Sequence, residues 1–346
     1  MKKIQLVMVV TASIAILSCS KKEDISDIKK SNGVTFEIAA LENFTNGIRN
    51  RATNDLHSQE AVNNVGNVTV HAFKFNGDQY IFQKKIDITE WTMGDSFKRT
   101  ILTGENLLEE GNYRFLAIGL HKEGDYSISI GSNFDEMYAK AIEPANGREL
   151  FSGITDPIDV TPGTRIPIQI TRKVAGVLGY FKNVPDVIND TKVHFLRLNI
   201  SNSEVVVNLA TGSVIDNRQE GYNIIDIDLT KQKIDNGIFI GNDLSAYNVT
   251  KLPKSQLSGS FVMPVNKIEM ILSLCDENGK PIKQWKVFSD SNDNAFDIKA
   301  NHFYTLGKKY QKGSTNKDEA IDLSDVQSLN LTISSEWDVI HDLTIQ

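Results

Sequence analysis

The sequence predicts an all-β fold, two β-sandwich domains in series over residues 33–170 and 171–346, behind an N-terminal leader. Three observations carry this. Short runs that alternate apolar and polar residues recur along most of the chain, each closed by turn residues, as in sandwiches. Helical periodicity is scarce, and residues 134–141 are its best candidate. A chain of 346 residues is also long enough for about two domains.

The leader comes first. Lys2 and Lys3 precede an apolar run over residues 4–17, broken only by Gln5, Thr11 and Ser13. That is a basic region followed by a core of signal-peptide length, too short for a comfortable membrane span. It ends on Ile16-Leu17-Ser18-Cys19, which resembles a bacterial lipoprotein signal. Residues 1–18 would then be removed and Cys19 would carry the lipid. Residues 19–32 are polar and without periodicity, and read as a flexible tether. Several acyl chains, each worth about 0.8 kcal/mol per buried methylene, would hold such a tether on the outer membrane. Lys22-Glu23-Asp24 resembles the short tags that route lipoproteins to the outer face of that membrane.

Strands follow in order. Residues 34–41 alternate, with Val34, Phe36 and Ile38 on one face and Thr35 and Glu37 on the other. Residues 68–75 alternate into Asn76-Gly77-Asp78, a hairpin signal because both turn residues tolerate positive φ. Residues 80–82, 113–119 and 126–130 continue the set. Residues 165–170 read as an edge strand, since Pro167 lacks the N–H that a central ladder needs. The same grammar restarts at residue 174 and runs through 193–200, 222–229 and 258–263. Residues 268–275 and 281–288 then flank a second hairpin turn, Asp276-Glu277-Asn278-Gly279. Residues 302–310 and 329–333 close the series.

Composition excludes several functions. Removing Lys2 and Lys3 from 37 Lys and Arg leaves 35 against 44 Asp and Glu, a net charge of −9 for the mature chain. Nucleic acid needs a clustered basic face, so it is not an expected partner. With Cys19 lipidated, Cys275 is the remaining thiol, and the domains must be held by packing rather than disulfides. Cys275 lies in an apolar strand pattern and reads as a small core residue. The six histidines are scattered singly, without the spacing that brings zinc ligands together, and no metal or cofactor is expected. Residues 290–294 offer oxygen ligands at alternate positions, as a calcium loop does. Ala295 and Asn301, however, stand where such a loop needs its glycine and its bidentate glutamate. No nucleophile elbow or phosphate loop occurs, and no catalytic residue is assigned. Trp91, outside a clear strand, is a candidate sugar platform, with core packing as the competing role.

Several segments together resemble a known family. They are residues 67–77, Gly111-Asn112-Tyr113-Arg114-Phe115, Leu150-Phe151-Ser152-Gly153, Arg172-Lys173-Val174-Ala175-Gly176-Val177, and the run from Leu331 to Trp337. Behind a lipoprotein signal this order is similar to the fimbrillin superfamily of type V pili, and within it to FimB/Mfa-type fimbrial lipoproteins. The resemblance implies two tandem transthyretin-like (Ig-like Greek-key) sandwiches and an adhesive or structural role without enzymatic activity. Its expected partners are other fimbrial subunits, the outer membrane through Cys19, and surface ligands on host or bacterial cells. Polymerising members exchange strands: a protease cuts after an arginine, the first strand leaves, and a neighbour's strand fills the groove. Here residues 34–41 would be that strand, and Arg49 or Arg51 the cut, with an uncut solvent-facing pair as the alternative. Val339, His341, Leu343 and Ile345 share one face of a terminal strand, which would either be donated or complete this chain's own sandwich. The reading carried forward is an anchor-like or accessory fimbrial subunit. A glycan-binding surface lipoprotein of a polysaccharide-uptake system is the runner-up.

Overall fold

A computed structural model describes residues 33–40, 65–93, 95–141, 148–201, 203–218, 221–230, 234–235, 238–239, 255–289, 295–310, 315–324, 329–330, 332–335 and 339–340. Among them are many strands, one 3-10 turn (Gly104–Asn106) and no α-helix. The first half contributes β1 (Thr35–Ala40), β2 (Asn67–Phe75), β3 (Tyr80–Asp87), β4 (Phe97–Ile101), β5 (Gly111–Leu120), β6 (Tyr126–Ile130), β7 (Met137–Ala141), β8 (Leu150–Ile154), β9 (Ile158–Val160) and β10 (Arg165–Arg172). Strands run in the order β3-β2-β5-β8-β10-β1-β4, with β9 on β5. The β2–β3 turn forms where Asn76 and Gly77 predict it. The Asn76 side chain accepts the N–H groups of Asp78 and Gln79 at 3.0 Å each, and Gly77 takes φ +103°.

This sheet folds over at β10. Only Thr171 and Arg172 pair with β8, while the strand from Arg165 to Ile170 runs parallel to β1. Pro167 therefore sits at a level where β10 has β1 as its one neighbour among the described residues, which is the edge environment its missing N–H requires. The corner is tight: a Cβ on Gly153 would lie 1.8 Å from the Gln169 carbonyl oxygen, so only glycine fits. Across the fold, Phe36, Ile38, Ile166, Ile168 and Ile170 face Val68, Val70, Tyr113, Phe115 and Phe151 in one buried cluster.

The second half contributes β11 (Ala175–Lys182), β12 (Val187–Ile188), β13 (Thr191–Lys192), β14 (Phe195–Ile200), β15 (Ser203–Asn208), β16 (Val214–Arg218), β17 (Tyr222–Asp228), β18 (Ile234–Asp235), β19 (Ile238–Phe239), β20 (Gln256–Val262), β21 (Val265–Ile268), β22 (Met270–Cys275), β23 (Pro281–Phe288), β24 (Phe296–Ile298), β25 (His302–Leu306), β26 (Ile321–Asp322), β27 (Leu329–Asn330), β28 (Thr332–Ser335) and β29 (Val339–Ile340). Sheet β20-β11-β25-β28-β29 packs on sheet β17-β14-β22-β23-β27. Between them lie Val177, Phe181, Leu196, Leu198, Leu272, Trp285 and Tyr304. The β22–β23 turn also follows its sequence: the Asp276 carboxylate accepts Asn278 and Lys280 N–H at 2.9 and 2.8 Å, and Gly279 has φ +75°. Cys275 is buried, and that burial pushes its thiol up in pKa.

A third core joins the halves. Strand β5 sends Tyr113, Phe115 and Ala117 to the first cluster but Leu116, Ile118 and Leu120 to the other face. Strand β11 does the same, with Leu178 and Tyr180 turned away from Val177 and Phe181. The two outward faces meet, with Phe73, Leu116, Ile118, Leu257, Phe261 and Phe303 among them. Sheet β16-β15-β7-β6 closes one flank and pairs Ala139 with Val207 across the halves. At the joint, Arg172 donates to Glu149 Oε1 through Nη2 at 2.7 Å, both side chains buried, and its guanidinium lies 4.8 Å from the Phe151 ring.

The helix expected over residues 134–141 is absent: residues 137–141 are β7, an inner strand between β6 and β15. Met137 and Ala139 are buried, while Tyr138 and Lys140 are more exposed. That period of two serves a strand with neighbours on both sides, and long-range pairing overrides the local helical preference.

Candidate assembly site

Strand β1 is the element that the sequence marks as exchangeable, and its surroundings define the site. Each of its apolar side chains is inward: Val34, Phe36, Ile38 and Ala40 are 5%, 0%, 1% and 3% exposed. The Phe36 ring meets Phe115 edge to face, 5.3 Å between centroids at 76°. In parallel register Phe36 lies opposite Ile166 and Ile38 opposite Ile168; in antiparallel register they face Thr100 and Lys98 of β4. Two ladders and one apolar face thus hold the strand.

The outward side is polar. Glu37 Oε1 lies 2.8 Å from Arg99 Nη2 of β4 and 4.0 Å from Arg165 Nη1 of β10. Thr35, expected outward, occupies that face but is nonetheless buried at 7% exposure, and its N–H donates to the Thr164 carbonyl at 2.9 Å. Below β4, Asp95 sits 3.6 Å from Lys98. Burial raises the pKa of this carboxyl, but the Thr92 amide and hydroxyl together with Lys98 outweigh it and hold it below the usual range.

The other singled-out residues fall elsewhere. Cys19, Arg49, Arg51, residues 290–294 and the terminal side chains from Val339 to Ile345 lie outside the residues described in this detail. The backbone of β29 pairs with β28 in this chain's own sheet. Trp91 is corrected: it is 5% exposed, belongs to the first core, and its indole N–H donates to the Val65 carbonyl at 3.2 Å. A ring enclosed this way presents no face to a sugar. The turn after β3, where the Trp91 backbone N–H donates to the Ile88 carbonyl at 3.0 Å, carries the ring into that core, and the Val65 oxygen satisfies its one donor. Among the described residues, no three His, Cys, Asp or Glu side chains converge as metal ligands would.

Sequence reading passed over β4. Its run Phe97-Lys98-Arg99-Thr100-Ile101 does alternate, but two adjacent charges mask the pattern, and its place at the end of a sheet is set by distant residues.

The site thus combines a buried strand held by two ladders with a strand, β4, that has β1 as its one partner among the described residues. The chain belongs to the family of fimbrillin-A associated anchor proteins Mfa1 and Mfa2, whose model matches residues 45–239. Solved structures similar to it include the fimbrial anchor protein Mfa2 from Porphyromonas gingivalis, at 10% identity and TM-score 0.42, covering 87% of this chain and 96% of that one. A protein from Bacteroides thetaiotaomicron described as an adhesin matches at 10% identity and TM-score 0.48, covering 88% and 96%. A protein from the same organism described as polysaccharide-binding matches at 13% identity and TM-score 0.46, covering 90% and 98%. Among curated proteins, none matches significantly.

Proposed function

We propose that this chain is a non-enzymatic, anchor-like or accessory fimbrial subunit. In this reading it is tethered to the outer membrane through acyl chains on Cys19, faces the cell surface, and pairs with other pilins by β-strand addition. Residues 33–170 and 171–346 serve as its two domains. Family membership is the observation that carries the proposal. The deep seat of Phe36 and Ile38 between two ladders supports it, because strand addition requires such a groove. The signal ending at Cys19 supports the tether.

Two measurements test this. Cys19→Ala should leave an unprocessed precursor or a soluble product; unchanged fractionation with the outer membrane would sink the tether. Limited trypsin digestion of the native protein should cut near Arg49 or Arg51. Release of the N-terminal piece with oligomer formation marks an exchanging subunit, and a retained strand on a monomer marks an anchor whose groove stays filled. Failure to cut removes Arg49 and Arg51 as processing sites. The glycan-binding reading has lost its platform with the burial of Trp91.

A further inference from the structure

Resting on the assembly reading above, we infer that the outer edge of β4 is where this chain receives a partner's strand. The partner segment would be extended and would carry a carboxylate with an apolar residue two positions to either side.

Backbone geometry identifies the open groups. Leu102 N–H donates to the Val34 carbonyl at 2.8 Å, and Ala40 N–H donates to the Ser96 carbonyl at 2.9 Å. In an antiparallel pair, residues alternate between pointing both backbone groups at the partner and pointing both away. Ser96, Lys98, Thr100 and Leu102 thus serve β1, and the N–H and C=O of Phe97, Arg99 and Ile101 point outward. Strand β4 has no second neighbour among the described residues. The opposite end of the sheet is different: β3 is capped where Phe82 N–H donates to the Ser132 carbonyl at 2.8 Å and Phe134 N–H to the Tyr80 carbonyl at 3.0 Å.

Side chains select the occupant. Phe97 and Ile101 are 52% and 48% exposed, and the half-exposed Arg99 stands between them. Edge strands that must stay unpaired usually hide or replace such residues. Among the described residues, Arg99 and the exposed Arg165 share the single carboxylate of Glu37, an excess of positive charge at this place on an otherwise acidic protein. A second copy fits badly, because two β4 strands paired about their centres would set Arg99 against Arg99, and like charges directly opposite are destabilising. An acidic strand from another fimbrial subunit answers both the charge and the two apolar side chains.

The test uses the full-length lipoprotein in cells that assemble fimbriae. A photo-crosslinking amino acid is placed singly at 97, 101 and, as a control on exposed surface, 187. An adduct at 97 or 101 to another fimbrial subunit, mapped to an acidic alternating segment, is expected. Phe97→Lys with Ile101→Lys should reduce the co-isolated subunit about ten-fold without changing the circular dichroism spectrum. Adducts to residues 41–64 of the same chain would show that it covers its own edge and overturn the inference. Adducts to a second copy would overturn the choice of partner. Subunit adducts at 187 alone would overturn this site while leaving the assembly reading intact. No subunit adduct at any position, with no subunit co-isolated, would overturn both.

Discussion

Replacing Phe36 by alanine measures how firmly β1 is seated. The side chain is fully buried, stacks edge to face on Phe115, and faces Ile166 across the parallel ladder. Phe→Ala at such a position removes the ring's transfer free energy and leaves a cavity, about 3–5 kcal/mol together. The edge-to-face pair accounts for about 0.5–1.5 kcal/mol of that. Glu37→Gln is the matched control one residue away. It loses an ion pair whose carboxylate is 21% and guanidinium 49% exposed, a pair worth about 0–1 kcal/mol. Urea unfolding followed by tryptophan fluorescence compares the two, since Trp91 lies in the same cluster as Phe36. If Phe36→Ala costs under about 1 kcal/mol, or if Glu37→Gln costs as much, apolar packing does not hold this strand. Exchange would then need no cut to be rapid.

Acid should weaken the first sandwich through His71. Burial first, then the charge of Lys85, lowers its imidazole from 6.5 to about 4, against a smaller opposing effect of Asp87. Because the folded pKa is depressed, its contribution is intact above about pH 6.5 and is lost as pH falls toward 4, by roughly 3 kcal/mol in all. Urea melts at pH 7 and pH 4.5 should therefore show a larger acid loss for the wild type than for His71→Phe, and equal losses would refute it. Trp91 belongs to the first core and Trp285 to the second, with the shared core between them. Single-tryptophan variants should unfold with coincident midpoints, and two separated transitions would show that the joint does not couple the halves.

What was legible in the sequence was local. The turns at Asn76-Gly77 and Asp276–Gly279 formed because each carries its own conformational chemistry: a side-chain oxygen that caps two amides, and a glycine at positive φ. The inward set of β1 was readable for the same reason, since alternation is written residue by residue. Pro167 announced an edge, and only the level of the strand around it is one. Features that were not legible depend on what lies across a ladder. Strand β7 reads as a short helix until β6 and β15 flank it, and Trp91 reads as a loop aromatic until the Val65 carbonyl meets it. The layering shows this most clearly. In β11 every residue but Lys182 is buried, because its two faces line two different cores. Such a run has no alternation to betray which residue faces which core. Strand β4 is the converse case: its pattern is visible, but that it has one neighbour among the described residues is a property of the whole sheet. The candidate assembly site is therefore half written in sequence, as the strand Val34 to Ala40, and half created by topology, as the edge that this strand supports. Because β4 pairs with β1 alone among the described residues, losing β1 would strip β4 of that ladder. A subunit that receives its partner on β4 must accordingly keep β1 in place, which links a permanently filled groove to an open edge.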